Sequence, residues 1–319
     1  MGDNAAASDP PSGTDSPAQR ATPRMTPKSS AANNKRVVRI LMLHGFTQSG
    51  PLFRAKTRAL EKLLAKALAP AGLIPAMLYP TAPNRLSPRD VPGYQPPPPG
   101  PSAGAAAGGA GEEGGDGDGD EGEMDAWAWF RRDDASGRYR FLEEGMVRVA
   151  EAVRDGVVGE EGGTGAGTGT GEENGQSGGI DGVIGFSQGG CMAAMLASAM
   201  EQGRVVGAPE HERWVSAVRA ANGGRPLKFA VIYSGFYAVP EDLAWLYKPP
   251  IRTPTLHFLG SLDTVVDESR SQGLVERCQD PVVLTHPGGH YVPISKEWAM
   301  PLAGFIKKCV ESTGDGTKL

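Results

Sequence analysis

Apolar positions along the chain follow two alternating patterns. Short, nearly continuous apolar runs are typical of strands that are buried on both faces of a parallel sheet. They occur at 37–43, 73–80, 180–186, 229–234, 255–260 and 282–285. Helical patterns of apolar residues follow several of these runs, at 52–69, in the later part of 127–152 and at 188–202. Strands that alternate with helices predict an α/β fold with a mostly parallel central sheet and helices on both faces.

Several segments lack the apolar residues that a core requires. The chain has 319 residues, of which 45 are Gly and 27 are Pro, and these residues are clustered. Residues 1–34 are predicted to form a disordered tail, and 313–319 a second one. Low-complexity insertions at about 92–123 and 159–179 are rich in Gly and acidic residues and predict surface loops rather than calcium sites. The rest of 35–312 suits a single α/β domain.

Charge and cysteine content argue against several function classes. The net charge of -5, the pI near 5.6 and the scattered Lys and Arg residues do not favour binding to nucleic acid or anionic lipid. Cys191, Cys278 and Cys309 lack metal-ligand spacing, so we expect reduced thiols, no metal and no cofactor. No apolar stretch resembles a signal peptide or a membrane span, which predicts a cytoplasmic location, with a nuclear one as the alternative. The oligomeric state stays open.

A Gly-x-Ser-x-Gly pattern stands between a predicted strand and a predicted helix. In it, Gly185 and Gly189 flank Ser187 and have no Cβ that could collide on a tight turn. The pattern alone arises by chance in a Gly-rich chain, but its position between strand and Ala-rich helix is specific. A Ser hydroxyl on such a turn protrudes towards a substrate carbonyl and needs a base to take its proton. We therefore predict that Ser187 is a nucleophile.

Two backbone amides are candidates for the oxyanion hole. The start of the helix after Ser187 places the amide of Gln188 where an oxyanion would develop. The second donor is expected from the loop after the first strand, which contains His44, Gly45 and Phe46. We predict that the Phe46 amide is this donor and that Gly45 allows a close approach of the chain. His44 is expected to shape this loop rather than to act as the base.

An acid and a base are expected on loops after late strands, in the order Ser, acid, His. Asp263 follows the strand 255–260 through a short turn, and His290 follows the strand 282–285 through a Gly-rich turn. Both side chains would therefore emerge at the same edge of the sheet as Ser187. We predict that Asp263 orients His290 and that His290 is the general base.

Other residues compete for these roles. Asp267 could orient the base instead, but Val265 and Val266 are expected to turn back into the core, which favours Asp263. His286 stands at a strand end and is expected to be a satisfied structural histidine. The remaining two histidines are poor bases, because one lies in an apolar strand and the other in a polar stretch: His257 and His211.

Several motifs together resemble the FSH-type family of serine hydrolases. This family includes fungal FSH esterases, the human ovarian-cancer-associated homologue and thioesterases that release fungal polyketides. The motifs are His44-Gly45-Phe46, Gly185 to Gly190, Tyr233-Ser234-Gly235-Phe236, 260–266 and 286–293. The resemblance covers about 36–310 and implies a single α/β-hydrolase domain with the same nucleophile, acid, base and oxyanion donors.

The family also carries an aromatic segment before the elbow, which here is 125–130. Core packing is the first interpretation of this segment, and a wall for an acyl chain is the second. On the second interpretation Trp127 and Trp129, together with Phe236, are secondary candidates for substrate contacts. The insertion at 92–123 departs from the family pattern, so the shape of the pocket stays open.

The leading hypothesis is a serine esterase or thioesterase that acts on small acyl substrates through an acyl-enzyme. An acyl-protein thioesterase or lysophospholipase-like carboxylesterase, which also uses a Gly-Phe-Ser-Gln-Gly-Gly elbow, is the alternative within the same class. A hydrolase-fold binding protein with incidental turnover is the alternative from another class. It is less favoured because a binder does not need all three catalytic groups. The acyl length and the choice of oxygen or sulfur ester stay open.

Overall fold

The computed structural model of the chain describes residues 35–91, 93, 124–156 and 179–312. The predicted tails at 1–34 and 313–319 lie outside the described residues, and so do the two predicted insertions apart from Gly93 and Gly179. The described strands are β1 (Arg36–Leu43), β2 (Leu73–Leu78), β3 (Asn84–Arg85), β4 (Trp127–Ala128), β5 (Arg131–Arg132), β6 (Tyr139–Arg140), β7 (Gly182–Phe186), β8 (Phe229–Tyr233), β9 (Thr255–Gly260) and β10 (Val282–His286).

The described helices are α1 (Gly50–Leu68), α2 (Leu142–Asp155), α3 (Gln188–Ala199), α4 (Glu212–Ala221), α5 (Glu268–Val275) and α6 (Lys296–Ser312). Short 3-10 helices occupy Ala69–Ala71, Pro88–Asp90, Pro209–His211 and Glu241–Tyr247. The predicted helices before and after the elbow are confirmed, whereas the apolar patterns did not single out α4, α5 and α6. The aromatic start of 127–152 forms the short strands β4, β5 and β6, because α2 begins only after Phe141, whose φ of 63° is left-handed.

The central sheet of the described residues has six strands in the order β10-β9-β8-β7-β1-β2, and every neighbouring pair is parallel. This confirms the predicted parallel α/β architecture. The remaining short strands pair separately, β3 with β4 and β5 with β6. These pairs are antiparallel.

Successive residues of β1 supply both faces of the core, which explains its continuous apolar run. Ile40 and Met42 belong to a cluster with buried residues of α1 and α6. Leu41 and Leu43 belong to a second cluster with buried residues of α2, α3 and α4. Helices therefore cover both faces, as predicted, because side chains alternate between the two sides of a strand.

The strand order creates a switch point between β1 and β7. The chain passes from β1 outward to β2 and then returns past β1 to β7, from which it continues outward through β8, β9 and β10. Crevices at the carboxyl ends of such strands are the usual ligand sites of open α/β sheets. Leu43 of β1 lies opposite Gly185 of β7. The segments that follow these two residues therefore meet at the switch point.

Candidate active site

Ser187 occupies a strained turn between β7 and α3. Its φ of 55° and ψ of -116° lie in a region that non-Gly residues rarely adopt. Its N–H donates to the carbonyl of Tyr233 at the end of β8, at 2.9 Å, and its own carbonyl accepts from the amides of Gly190 and Cys191. Because bonds on both sides hold this residue, the strain is built into the end of the sheet. This is the geometry predicted for a nucleophile elbow.

Glycine is required on both sides of Ser187 because backbone atoms approach too closely for a Cβ. A Cβ at Gly185 would lie 2.0 Å from the carbonyl oxygen of Gly189. A Cβ at Gly189 would lie 2.1 Å from the carbonyl oxygen of Leu43 in β1. The pattern of glycines therefore reflects the packing of the turn and of α3 against the neighbouring strand.

The loops after β9 and β10 bring Asp263 and His290 together. Nδ1 of His290 lies 2.8 Å from Oδ2 of Asp263. The two loops are joined by a backbone hydrogen bond of 3.0 Å from Leu262 to Gly288. The imidazole centroid lies 4.8 Å from the ring of Phe186, the residue before the predicted nucleophile. Hence the structure places the predicted acid and base in contact with each other and beside the elbow.

Asp263 is held as a carboxylate. Burial raises the pKa of Asp263, but hydrogen bonds from His290 and from the amides of Val266 and Val265 outweigh burial and leave the pKa below its ordinary value. Its Oδ1 accepts from the amides of Val265 and Val266 at 2.9 and 3.0 Å. An ionised Asp263 is therefore expected at neutral pH.

The loop after β1 packs against the elbow. A Cβ at Gly45 would be 3.4 Å from Cβ of Ser187, so the chain passes directly beside Ser187. Phe46 follows this glycine, and Gln188 is the first residue of α3. Neither amide donates to an acceptor within the described part of the chain. Both predicted oxyanion donors are thus available beside Ser187.

His44 is a buried neutral histidine with both ring nitrogens bonded. Nε2 accepts from the amide of Ala82 at 3.0 Å, so the proton sits on Nδ1 and is donated to the carbonyl of Gly45 at 2.8 Å. Burial lowers its pKa to about 4. This agrees with the expectation that His44 shapes the loop rather than acting as the base.

The competing acid has another role. Asp267 caps α5, because its side chain accepts from the amide of Ser269. The reason given for favouring Asp263 was half wrong, since Val266 is 3% exposed but Val265 is 64% exposed. Only one of the two valines turns into the core, because successive residues of the loop point to opposite sides.

The expectation for His286 was wrong in one respect. It is buried at the end of β10, as expected of a structural histidine, but neither ring nitrogen has a hydrogen-bond partner among the described residues. Burial lowers its pKa, against a smaller opposing effect of Asp263. It packs against the rings of Tyr291 and Trp298 instead of a polar partner.

The three secondary candidates for substrate contacts differ in their surroundings. Trp129 has no exposed surface, and its backbone and indole N–H groups bond to Gln188 and His44. Core packing is therefore the better interpretation for Trp129, and a substrate contact is excluded in this conformation. Trp127 is half-buried, whereas Phe236 is 9% exposed and carries the guanidinium of Arg270 over its ring at 4.3 Å.

The described residues lack the features of a metal site and of a membrane span. They hold no group of His, Cys, Asp or Glu side chains that could bind a metal ion. None of their helices is both long and apolar enough to cross a membrane. Two surface cavities of about 260 and 290 Å³ adjoin the start of α2 and contain none of the predicted catalytic or oxyanion residues.

Several known proteins are similar to this chain. A family model described as "Serine hydrolase (FSH1)" matches residues 33–302. A Schizosaccharomyces pombe protein named dihydrofolate reductase is 29% identical over 257 residues, which are 80% of this chain and 44% of that protein. Family of serine hydrolases 2 from Saccharomyces cerevisiae is 29% identical over 275 residues, which are 85% of this chain and 96% of that protein.

Esterase OVCA2 from Xenopus tropicalis is 35% identical over 113 residues, which are 35% of this chain and 41% of that protein. The matched part is thus less than half of this esterase and of the Schizosaccharomyces pombe protein, and nearly all of the Saccharomyces cerevisiae one. The family model covers most of this chain, including the elbow and both late loops. The resemblance inferred from the motifs is therefore confirmed: the chain belongs to the FSH1 family of serine hydrolases.

Proposed function

We propose that this chain hydrolyses carboxylic esters or thioesters of small acyl substrates through a triad of Ser187, His290 and Asp263. The observation that carries the proposal is the 2.8 Å contact between His290 and Asp263 next to the strained elbow of Ser187. A carboxylate, an imidazole and a Ser hydroxyl in this order and at one sheet edge are the groups that acyl transfer needs.

The contact to Asp263 assigns separate roles to the two nitrogens of His290. Nδ1 faces the carboxylate, so Nε2 is left to take the proton of Ser187 as Oγ attacks the acyl carbon. The same nitrogen then returns the proton to the leaving alkoxide or thiolate. Water next attacks the acyl-enzyme with His290 again as the base, which releases the acid and restores Ser187.

Charge develops at two places during attack, and the site offers a partner for each. The oxyanion of the tetrahedral intermediate would accept hydrogen bonds from the amides of Phe46 and Gln188. The imidazolium of His290 would be stabilised by Asp263, whose lowered pKa keeps it ionised at neutral pH. The Asp263 carboxylate accepts from the amides of Val265 and Val266, and the amide of Thr47, next to Phe46, donates to the carbonyl of Trp127, so little reorganisation is needed during the reaction.

The proposal is tested by labelling and by turnover. A fluorophosphonate probe should label the wild-type protein, and p-nitrophenyl esters and acyl thioesters of graded chain length should be hydrolysed. Both signals should vanish in Ser187→Ala and persist in Ser312→Ala, a matched variant on the exposed last turn of α6. Labelling that survives in Ser187→Ala would remove Ser187 from this role. Wild-type protein that binds acyl ligands without hydrolysing any of these substrates would favour a binding protein.

A further inference from the structure

We propose that Trp129 and the side chain of Gln188 are positioning residues, which hold the loop of the predicted oxyanion donor Phe46 in place. This inference rests on the proposed function, because it concerns the geometry of the same site. Gln188 thereby acts twice: its backbone amide is a predicted oxyanion donor, and its side chain fixes the segment that holds the other donor.

Both ends of the Gln188 side-chain amide form hydrogen bonds with the backbone of two adjacent residues in the aromatic segment. Its Oε1 accepts from the amide of Trp129 at 2.8 Å, and its Nε2 donates to the carbonyl of Phe130 at 2.7 Å. Gln188 is 7% exposed, so water contributes little to either bond. A side-chain amide that is paired at both ends fixes the position of the aromatic segment relative to the first turn of α3.

Trp129 connects the aromatic segment to the loop after β1. Its indole Nε1 donates to the carbonyl of His44 at 2.9 Å, and its ring centroid lies 5.0 Å from that of His44. The His44 ring is fixed in turn by the amide of Ala82 and the carbonyl of Gly45. The amide of Thr47 donates to the carbonyl of Trp127, which ties the same loop to the aromatic segment at a second point.

These bonds lie on both sides of the Phe46 amide, which the proposed mechanism uses as an oxyanion donor. The carbonyl of His44 precedes Phe46 by two residues, and the amide of Thr47 follows it directly. Fixing both sides restricts the rotation of the peptide group that contains the Phe46 N–H. Loss of one oxyanion donor lowers kcat by about 10²–10³-fold in a related mechanism, so a misaligned donor should cost part of that factor.

Trp129→Phe is the informative variant, because it removes the indole N–H and keeps an aromatic ring. Trp214→Phe is its matched control: Trp214 is 1% exposed, and its Nε1 has no hydrogen-bond partner among the described residues. Gln188→Leu breaks the same link at its other end and decides the question if Trp129→Phe does not fold.

Three measurements separate positioning from packing: kcat and KM on a p-nitrophenyl ester, the Ki of a phenylboronic acid, and the melting temperature. The boronic acid forms a tetrahedral adduct with Ser187 whose oxygen would occupy the oxyanion hole. We expect Trp129→Phe and Gln188→Leu to lower kcat about 10–100-fold, to leave KM nearly unchanged and to raise the Ki by a similar factor. Trp214→Phe should lower the melting temperature without any of these kinetic effects.

Two results would overturn the inference. One is a wild-type kcat and Ki in folded Trp129→Phe or Gln188→Leu, and the other is an equal kinetic loss in Trp214→Phe. Failure of the proposed function is recognised separately, by wild-type protein without turnover or by turnover that survives in Ser187→Ala. If turnover depends on Ser187 but not on Trp129 or Gln188, only the positioning role fails.

Discussion

Replacement of Ser187 with Gly is expected to abolish activity and at the same time to stabilise the fold. The φ of 55° and ψ of -116° at Ser187 force a residue with a Cβ into a region that Gly tolerates far better. The matched variant is Ser187→Ala, which also removes the hydroxyl but keeps the Cβ and therefore the strain. Because both variants lack the Ser187 hydroxyl, the difference in stability between them measures the backbone contribution alone.

The magnitude follows from two opposing effects. A non-Gly residue in a sparsely populated backbone region costs about 1–3 kcal/mol, which Gly would relieve. Gly loses more backbone entropy on folding than Ala, at a cost of about 0.5–1 kcal/mol. At the midpoints of these ranges, Ser187→Gly should therefore unfold with a free energy about 1 kcal/mol higher than Ser187→Ala. At about 2–4 °C per kcal/mol for a domain of this size, the melting temperature should rise by about 2–4 °C.

Urea denaturation and calorimetry of both variants measure this difference. The urea m-value should be the same in both, so that a change in midpoint reports stability alone. Neither variant should react with a fluorophosphonate probe. If Ser187→Gly is no more stable than Ser187→Ala, the turn stores no strain, and the assignment of Ser187 to a strained elbow is wrong.

Asp263→Asn is expected to lower kcat by about 10⁴-fold with little change in KM, because Asn cannot hold an imidazolium; near-normal ester hydrolysis would remove Asp263 from the site. Gly189→Ala should prevent stable folding, since its Cβ would lie 2.1 Å from the carbonyl oxygen of Leu43. In the control Gly304→Ala in α6, the new Cβ meets no atom within 4 Å, and thermal denaturation should show a free energy of unfolding about 1 kcal/mol higher than in the wild type. Burial lowers the pKa of His44 and of His257 to about 4, below the value of 6.5 in the unfolded chain. Both side chains are neutral above pH 6.5, where the folded state therefore keeps its full stability. That stability should be lost as the pH falls from 6.5 towards 4, by up to about 3 kcal/mol per histidine. Urea midpoints should fall less steeply in His257→Gln, and an unchanged slope would contradict the prediction.

Local patterns were sufficient for much of the sheet. The six apolar runs became the six parallel strands. The inner strands β1, β7, β8 and β9 are buried along most of their length, which explains their apolar runs, whereas the edge strands β2 and β10 are largely half-buried or exposed. The glycines around Ser187 indicated the elbow for a related local reason, since the close backbone contacts at Gly185 and Gly189 exclude a Cβ. Helices α4, α5 and α6 were not singled out.

Burial of single side chains was harder to predict. Val265 and Val266 are chemically identical and adjacent, yet one is 64% exposed and the other 3%. Trp129 could have lined a pocket or filled the core, and the buried bonds to Gln188 and His44 place it in the core. His286 shows the same limit, because its burial without a hydrogen-bond partner depends on the rings of Tyr291 and Trp298.

The sequence alone determined the strands of the central sheet, the elbow, and the order of Ser187, Asp263 and His290, because these depend on neighbours in the chain. The tertiary structure decided which distant groups meet. Asp263 and His290 are 27 positions apart and touch because β9 and β10 are parallel neighbours that end at one edge. The bond from Trp129 to His44 spans 85 positions and depends on packing against the switch point between β1 and β7. The order of the late strands and loops predicted the first of these contacts, whereas no local pattern indicated the second, which follows from strand order and chain closure.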